Sequence, residues 1–147
     1  MTFRNLLVHL DPSKSSLKRA DVAIGLAAAH GAHLTALAAV PAPLMPSYAT
    51  AEIPTSIYDR IATSLDDELR AAAAAFVARA EAAGIAYEVR REVSREPIAD
   101  LIGRHARYSD LAILGQPDPD DPLSGAPEVA EDVILGGGRP VLMVPYI

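Results

Sequence analysis

Near its N-terminus the chain reads Asn5-Leu-Leu-Val-His-Leu-Asp11-Pro-Ser13, a short apolar run that ends in turn-forming residues. A continuous apolar run of this length is typical of a strand buried on both faces of a parallel sheet. From Ser16 onward apolar residues recur at helical spacing, and Gly31 supplies a stop. The stretch therefore predicts a strand, a turn and a helix, which is the opening unit of an α/β fold.

The rest of the chain continues the same alternation. Further strands are predicted at residues 33–40, 86–93, 110–115 and 140–145. Further helices are predicted at 57–83, with Gly84 as the stop, after Pro97 and at 128–135. The order βαβαβαβαβ implies parallel strands joined by right-handed helical crossovers. We therefore expect an α/β fold, a three-layer sandwich with a doubly wound five-strand parallel sheet, as one domain over residues 1–147. Alternating apolar and charged residues place strand 86–93 near a sheet edge.

The composition excludes several classes of protein. The 147 residues are 50% hydrophobic and 22% charged with a net charge of −6, a balance typical of a globular domain. Lysine and arginine form no cluster, so neither nucleic acid nor a membrane surface is expected as a partner. The chain contains no cysteine, which excludes thiolate nucleophiles, disulfides and cysteine-based metal sites.

One stretch has the hydropathy of a membrane span. Residues 22–51 carry no charged side chain, and residues 22–40 match the length of about 20 residues that a bilayer requires. The stretch is rich in alanine and interrupted by Gly31, so we interpret it as helix, turn and strand. Asp11 and Lys14 interrupt the first apolar run before a secretory signal could form, and a cytoplasmic location is the default expectation.

A doubly wound sheet binds ligands beyond the carboxyl ends of neighbouring strands whose connections leave in opposite directions. The first and fourth strands are the candidates, and they end at His9, Asp11, Leu114 and Gly115. Asp11 has two interpretations that remain open: it accepts hydrogen bonds from a ligand, or it caps the following turn.

The side chain of His9 points from the same face of the sheet as that of Asp11, two residues later. A His–Asp pair can perform acid–base chemistry, but no nucleophile motif accompanies it, so we favour a hydrogen-bonded structural histidine and expect no enzymatic activity.

Four motifs, in the right order and at the right spacing, resemble the universal stress protein family. They are Leu6-Leu-Val-His-Leu-Asp11-Pro-Ser13, Glu96-Pro97, Asp110-Leu-Ala-Ile-Leu-Gly115 and the strand Pro140–Pro145. The resemblance covers essentially the whole chain. It implies a Rossmann-like sheet of the adenine nucleotide alpha hydrolase-like type and a cytoplasmic stress-response protein. It also implies that Ala39 lines an adenine pocket.

The last strand is the predicted dimer contact. The resemblance implies a homodimer through this strand, which contains Val141, Leu142, Met143 and Val144. Physical reasoning points the same way, because an apolar strand at a sheet edge is rarely left bare and a two-fold partner would cover it.

The resemblance implies that ATP-binding members of the family carry the motif Gly-x2-Gly-x9-Gly-Ser/Thr after the fourth strand. The physical reason is that glycines let backbone N–H groups approach the phosphates. In this chain Gly115 matches the first glycine of the pattern. Asp118 stands at the position of the second glycine, and Glu128-Val129 stand at the final Gly-Ser/Thr pair, or Pro127-Glu128 if the alignment is shifted by one residue. Residues 115–138 also contain six acidic residues and no Lys or Arg. Each like-charge contact with a triphosphate within about 4 Å costs roughly 1 to 4 kcal/mol. We therefore expect no ATP cofactor.

Two hypotheses about function follow. The first is a non-enzymatic stress-response module that acts through a protein partner or through a small ligand other than a triphosphate. In the second, Asp11, Ala39 and the Leu114-Gly115 backbone hold an adenine nucleotide, either adenosine or its phosphates, while the acidic loop swings away or binds Mg²⁺. Asp118–Pro122 lacks the spacing of a calcium loop, so no specific metal site is predicted. Residues 41–54 are interpreted as a surface loop, with a lid that places Met45 and Tyr48 on the ligand as the alternative.

Overall fold

The computed structural model describes residues 2–44 and 53–147, so Met45 and Tyr48 of the lid interpretation lie outside the described residues. Nine elements alternate along these two described ranges. They are β1 (Asn5–Leu10), α1 (Ser16–His30), β2 (His33–Pro41), α2 (Thr55–Ala83), β3 (Ala86–Ser94), α3 (Ile98–Ala106), β4 (Leu111–Gly115), α4 (Glu128–Gly137) and β5 (Val141–Val144). The predicted order of strands and helices is confirmed.

The five strands form one parallel sheet in the order β3-β2-β1-β4-β5. From β1 the chain passes through α1 to β2 on one side, whereas β4 lies on the other side of β1. The connections therefore diverge between β1 and β4, which opens a crevice beyond their carboxyl ends. The doubly wound fold and the edge positions of β3 and β5 are confirmed.

Apolar residues on both faces of β1 explain why this strand reads as a continuous apolar run. Leu6, Val8 and Leu10 pack into one core cluster with residues of α1 and α2. Leu7 packs into a second cluster on the opposite face, with residues of α3 and of α4. Helices therefore cover both faces of the sheet in three layers. No helix in the described ranges combines the length and the apolar character needed to cross a bilayer.

Candidate functional site

A cavity of about 200 Å³ lies beyond the carboxyl ends of β1, β2 and β4. All five residues predicted at the crevice line it: His9, Asp11, Ala39, Leu114 and Gly115. The loop after β4 and the start of α4 close the opposite wall. A larger and more open groove of about 410 Å³ lies between α1 and α2 and shares Asp11 with the cavity. The structure thus brings the predicted residues together, while their role in binding stays a prediction.

The carboxylate of Asp11 is engaged by the protein itself. Its Oδ1 accepts hydrogen bonds from the backbone N–H of Ser13, at 2.9 Å, and from the Ser13 hydroxyl. The backbone N–H of Asp11 donates to the Ser16 hydroxyl at 3.1 Å. Asp11 is buried. The turn-capping interpretation is therefore confirmed for Oδ1, whereas Oδ2 accepts no hydrogen bond from the described residues and lies 3.5 Å from Nη1 of Arg19.

His9 is half-buried and joins two neighbouring strands. Its Nε2 lies 2.8 Å from the carbonyl oxygen of Ala39. A carbonyl oxygen only accepts, so we assign the proton of the neutral ring to Nε2, which leaves Nδ1 as an acceptor. Burial lowers the pKa of His9, and the nearby Asp11 only partly opposes this. The hydrogen bond predicted for His9 is present, and the ring is neutral near pH 7.

Arg19 of α1 also lies in the crevice, and sequence reasoning missed it. Its side chain is buried, its Nη1 donates to the backbone carbonyl of His9 at 2.7 Å, and Nη1 lies 3.5 Å from Oδ2 of Asp11. A Cβ atom on Gly115 would collide with the guanidinium. Gly115 therefore provides the space that Arg19 occupies.

The count of six acidic residues and no base within residues 115–138 leaves Arg19 out, because α1 delivers its guanidinium to the crevice from a distant part of the chain. A signal was available. Ser16, Ala20 and Ala23 mark the buried face of α1, and Arg19 lies three residues after Ser16 and four before Ala23. Residues at these spacings share one face of a helix, so the spacing predicts that the side chain of Arg19 points toward the sheet.

The acidic loop uses some of its carboxylates to hold its own backbone. Asp121 is buried, and it accepts hydrogen bonds from the backbone N–H groups of Lys14, at 2.9 Å, and Leu123, at 3.0 Å. These two hydrogen bonds lower the pKa of Asp121. Asp118 accepts from the N–H of Asp120 at 2.9 Å. Within residues 2–44 and 53–147, no group of three or more His, Asp or Glu side chains is arranged to hold a metal ion.

Ser124 is a second cavity residue that sequence reasoning missed. Its hydroxyl lies 2.9 Å from the carbonyl oxygens of Asp118 and Asp121 and accepts from the N–H of Asp118 at 2.9 Å. Gly125 follows with φ of +83°, a left-handed conformation that suits glycine. The pair closes the loop over the cavity, and the Ser124 hydroxyl is occupied within the loop.

Comparisons with known proteins agree with this architecture. The family model described as "Universal stress protein family" matches residues 2–145. A protein of that family from Burkholderia pseudomallei is 27% identical, with a TM-score of 0.71 over 96% of this chain and 95% of that chain. No curated protein matched the chain.

Two further solved structures share the fold. A universal stress protein in complex with cAMP is 24% identical, with a TM-score of 0.64 over 100% of both chains. A universal stress protein from Archaeoglobus fulgidus in complex with dAMP is 18% identical, with a TM-score of 0.55 over 97% of this chain and 98% of that chain. At these identities the likeness concerns the fold alone.

Proposed function

The chain belongs to the universal stress protein family, and from that premise we propose that it is a stress-response module that catalyses no reaction and does not hold ATP tightly. Such a module acts through a protein partner or through a small ligand other than a triphosphate. The proposal rests on the contents of the crevice between β1 and β4.

One observation carries the proposal: protein atoms and negative charge occupy the region where a phosphate chain would need backbone donors. Arg19 packs against Gly115, and its charge is balanced by Asp11 at 3.5 Å. Exposed Glu128 begins α4, with Glu131 in its first turn. Anions are favoured at a helix N-terminus, but here acidic side chains already stand there. The remaining cavity of about 200 Å³ is smaller than the roughly 300 to 1,000 Å³ of ordinary ligand pockets.

The state of the polar groups on the cavity wall supports a module without catalytic activity. A hydrolase of the nucleophilic type needs a hydroxyl within reach of a general base. The Ser124 hydroxyl is bound within its loop, and Nε2 of His9 is bound to Ala39. Asp11 is held by Ser13 and does not orient His9 through any hydrogen bond found among the described residues. These groups serve as structural contacts.

A second candidate function is the binding of adenosine or a nucleoside monophosphate in the same cavity. The cavity favours it: the small Ala39 and the apolar Leu114 leave room for a flat apolar body near Gly115. The fold also accommodates such ligands, since the relatives described above were solved with cAMP and dAMP. In this candidate, Asp11 and the Leu114-Gly115 backbone contact the ligand.

Equilibrium dialysis with ATP and Mg²⁺ tests the first proposal. We expect no saturable, stoichiometric binding in the low micromolar range, because the crevice lacks a phosphate cradle. Tight stoichiometric binding of ATP would reject the proposal.

For the second candidate, Asp11→Ala is expected to abolish the binding of adenosine and AMP, with the exposed Asp120→Ala as the control. Unchanged affinity in Asp11→Ala would reject that candidate.

We further propose that the module is a homodimer joined through β5. The strand lies at the edge of the sheet, and Met143 on it is 36% exposed. Exposed Leu135 and Ile147 extend the apolar surface nearby in sequence. Pairing two copies of this edge would satisfy its backbone groups and cover these side chains.

A further inference from the structure

We propose that Arg19 is the selectivity residue of the crevice cavity: it limits the cavity to a compact, uncharged ligand and offers that ligand the Nε–H group as a hydrogen-bond donor. The inference rests on the proposed function, in which the crevice does not take a triphosphate. It adds the chemistry of the ligand that the crevice does take.

The guanidinium of Arg19 has N–H groups that donate no hydrogen bond within the described residues. An arginine side chain carries five N–H groups. Among the described residues only Nη1 donates a hydrogen bond, to the carbonyl of His9 at 2.7 Å. The Nε atom is buried and has no hydrogen-bond partner among residues 2–44 and 53–147. Buried donors are almost always satisfied in native proteins, so an unpaired Nε–H on a side chain that lines a cavity points to an acceptor supplied by a ligand.

The charge around Arg19 favours an uncharged acceptor over an anion. Asp11 balances the guanidinium from 3.5 Å away, so the pair carries no net charge. The loop and helix on the other side of the cavity contain acidic residues and no Lys or Arg. An anionic ligand would place a second negative charge beside one guanidinium and face these acids, whereas a carbonyl or ring nitrogen would accept from Nε–H without that repulsion.

The size of the cavity is set by the contact between Arg19 and Gly115. Because Gly115 has no Cβ, the guanidinium rests against its Cα and occupies the space between the ends of β1 and β4. What remains is about 200 Å³ with mainly apolar walls that include Ala39, Leu114 and Val129. This volume suits a compact, flat molecule and leaves no room for an extended phosphate chain.

Isothermal titration calorimetry with adenosine, AMP and ATP tests the inference, since these probes share one base and differ in charge. We expect the wild-type protein to bind adenosine more tightly than AMP, and AMP more tightly than ATP. Arg19→Met is expected to weaken adenosine binding by roughly tenfold or more, the usual effect of losing a hydrogen bond from a charged donor. Arg79→Met is the matched control, because exposed Arg79 pairs with Asp21 away from the cavity.

Two further variants keep the test informative if Arg19→Met folds poorly. Asp11→Asn combined with Arg19→Met removes the charged pair together and leaves no unpaired buried carboxylate. Gly115→Ala keeps both charges but displaces the guanidinium, because the three atoms nearest to the new Cβ all belong to the Arg19 guanidinium. We expect both variants to lose adenosine affinity as Arg19→Met does.

Several outcomes would overturn the inference while the proposed function stands. They are unchanged adenosine affinity in folded Arg19 variants, no adenosine binding by the wild-type protein, and an AMP preference that Arg19→Met removes. The last result would make Arg19 an anion receptor. Tight ATP binding by the wild-type protein would instead reject the proposed function itself, whatever the Arg19 variants do.

Discussion

At the scale of single residues, two carboxylates connect distant parts of the chain. Oδ2 of Asp110 accepts the backbone N–H groups of Arg4, at 2.8 Å, and Asn5, at 3.0 Å, across more than 100 residues of sequence. Asp121 does the same for Lys14. These hydrogen bonds lower the pKa of both carboxyl groups. In each case an acidic side chain acts as a cap for backbone donors that would otherwise lack a partner.

Replacing Asp121 is expected to destabilise the protein at neutral pH but not in acid. Folding lowers the pKa of Asp121 below its ordinary value of 3.8, so its contribution is present above that pH and is lost as the pH falls through the lowered value. Asp121→Asn should therefore lower the midpoint of thermal unfolding at pH 7, and the gap to wild type should close in acid. Exposed Asp120→Asn is the control, and a gap of equal size at both pH values would contradict the prediction.

At the scale of secondary-structure elements, glycines end α1 and α2 where the sequence predicted. α1 ends at Gly31 with φ of +61° and α2 at Gly84 with φ of +70°, both left-handed. The N–H of Gly84 bonds back to carbonyls of the last turn. Gly25 differs, because it lies inside α1 with ordinary helical geometry and open space around its Cα. The same residue type thus stabilises one position and weakens another.

Substitution of Gly84 and of Gly25 by alanine is expected to change the free energy of unfolding in opposite directions. Gly84→Ala forces an L-residue into the left-handed region and should lower the free energy of unfolding by about 1 to 2 kcal/mol. Gly25→Ala restricts the unfolded chain and favours the helix, and should raise it by about 0.5 to 1 kcal/mol. Urea denaturation followed by circular dichroism measures both values, and effects of the same sign would refute the argument.

At the scale of the whole molecule, the two edges of the sheet differ in character. The edge strand β3 carries the charged residues Glu88, Arg90, Arg91 and Glu92. Charged side chains on an edge discourage pairing with another strand. The opposite edge, β5, has the sequence Val141-Leu-Met-Val144 with no charge at all. This asymmetry favours β5 as the place where a second copy of the chain would pair.

A lysine on β5 is expected to convert the proposed dimer to a monomer. Met143→Lys places a charge on the pairing edge, where burying it against a second copy is unfavourable. Size-exclusion chromatography with light scattering measures the mass of the assembly. Val22→Lys is the matched control, because Val22 on α1 is as exposed as Met143, at 36%. A dimer that survives in Met143→Lys, or a wild-type monomer, would reject β5 as the interface.

The sequence by itself determined the order of the elements, the helix stops at Gly31 and Gly84, the two edge strands, and the place where His9, Asp11, Leu114 and Gly115 meet. These features follow from local rules: apolar periodicity, turn residues and the alternation of strand and helix each depend on a few neighbouring residues.

Only the tertiary structure decided what fills the crevice. Arg19 reaches Gly115 from α1, and Asp121 binds the N–H of Lys14 across 107 residues of sequence. From the sequence, Asp121 counted as one of six free charges, and no base was assigned to the crevice. Pairing of this kind depends on how helices and loops pack over the sheet, because an electrostatic contact is set by distance in space and not by separation along the chain.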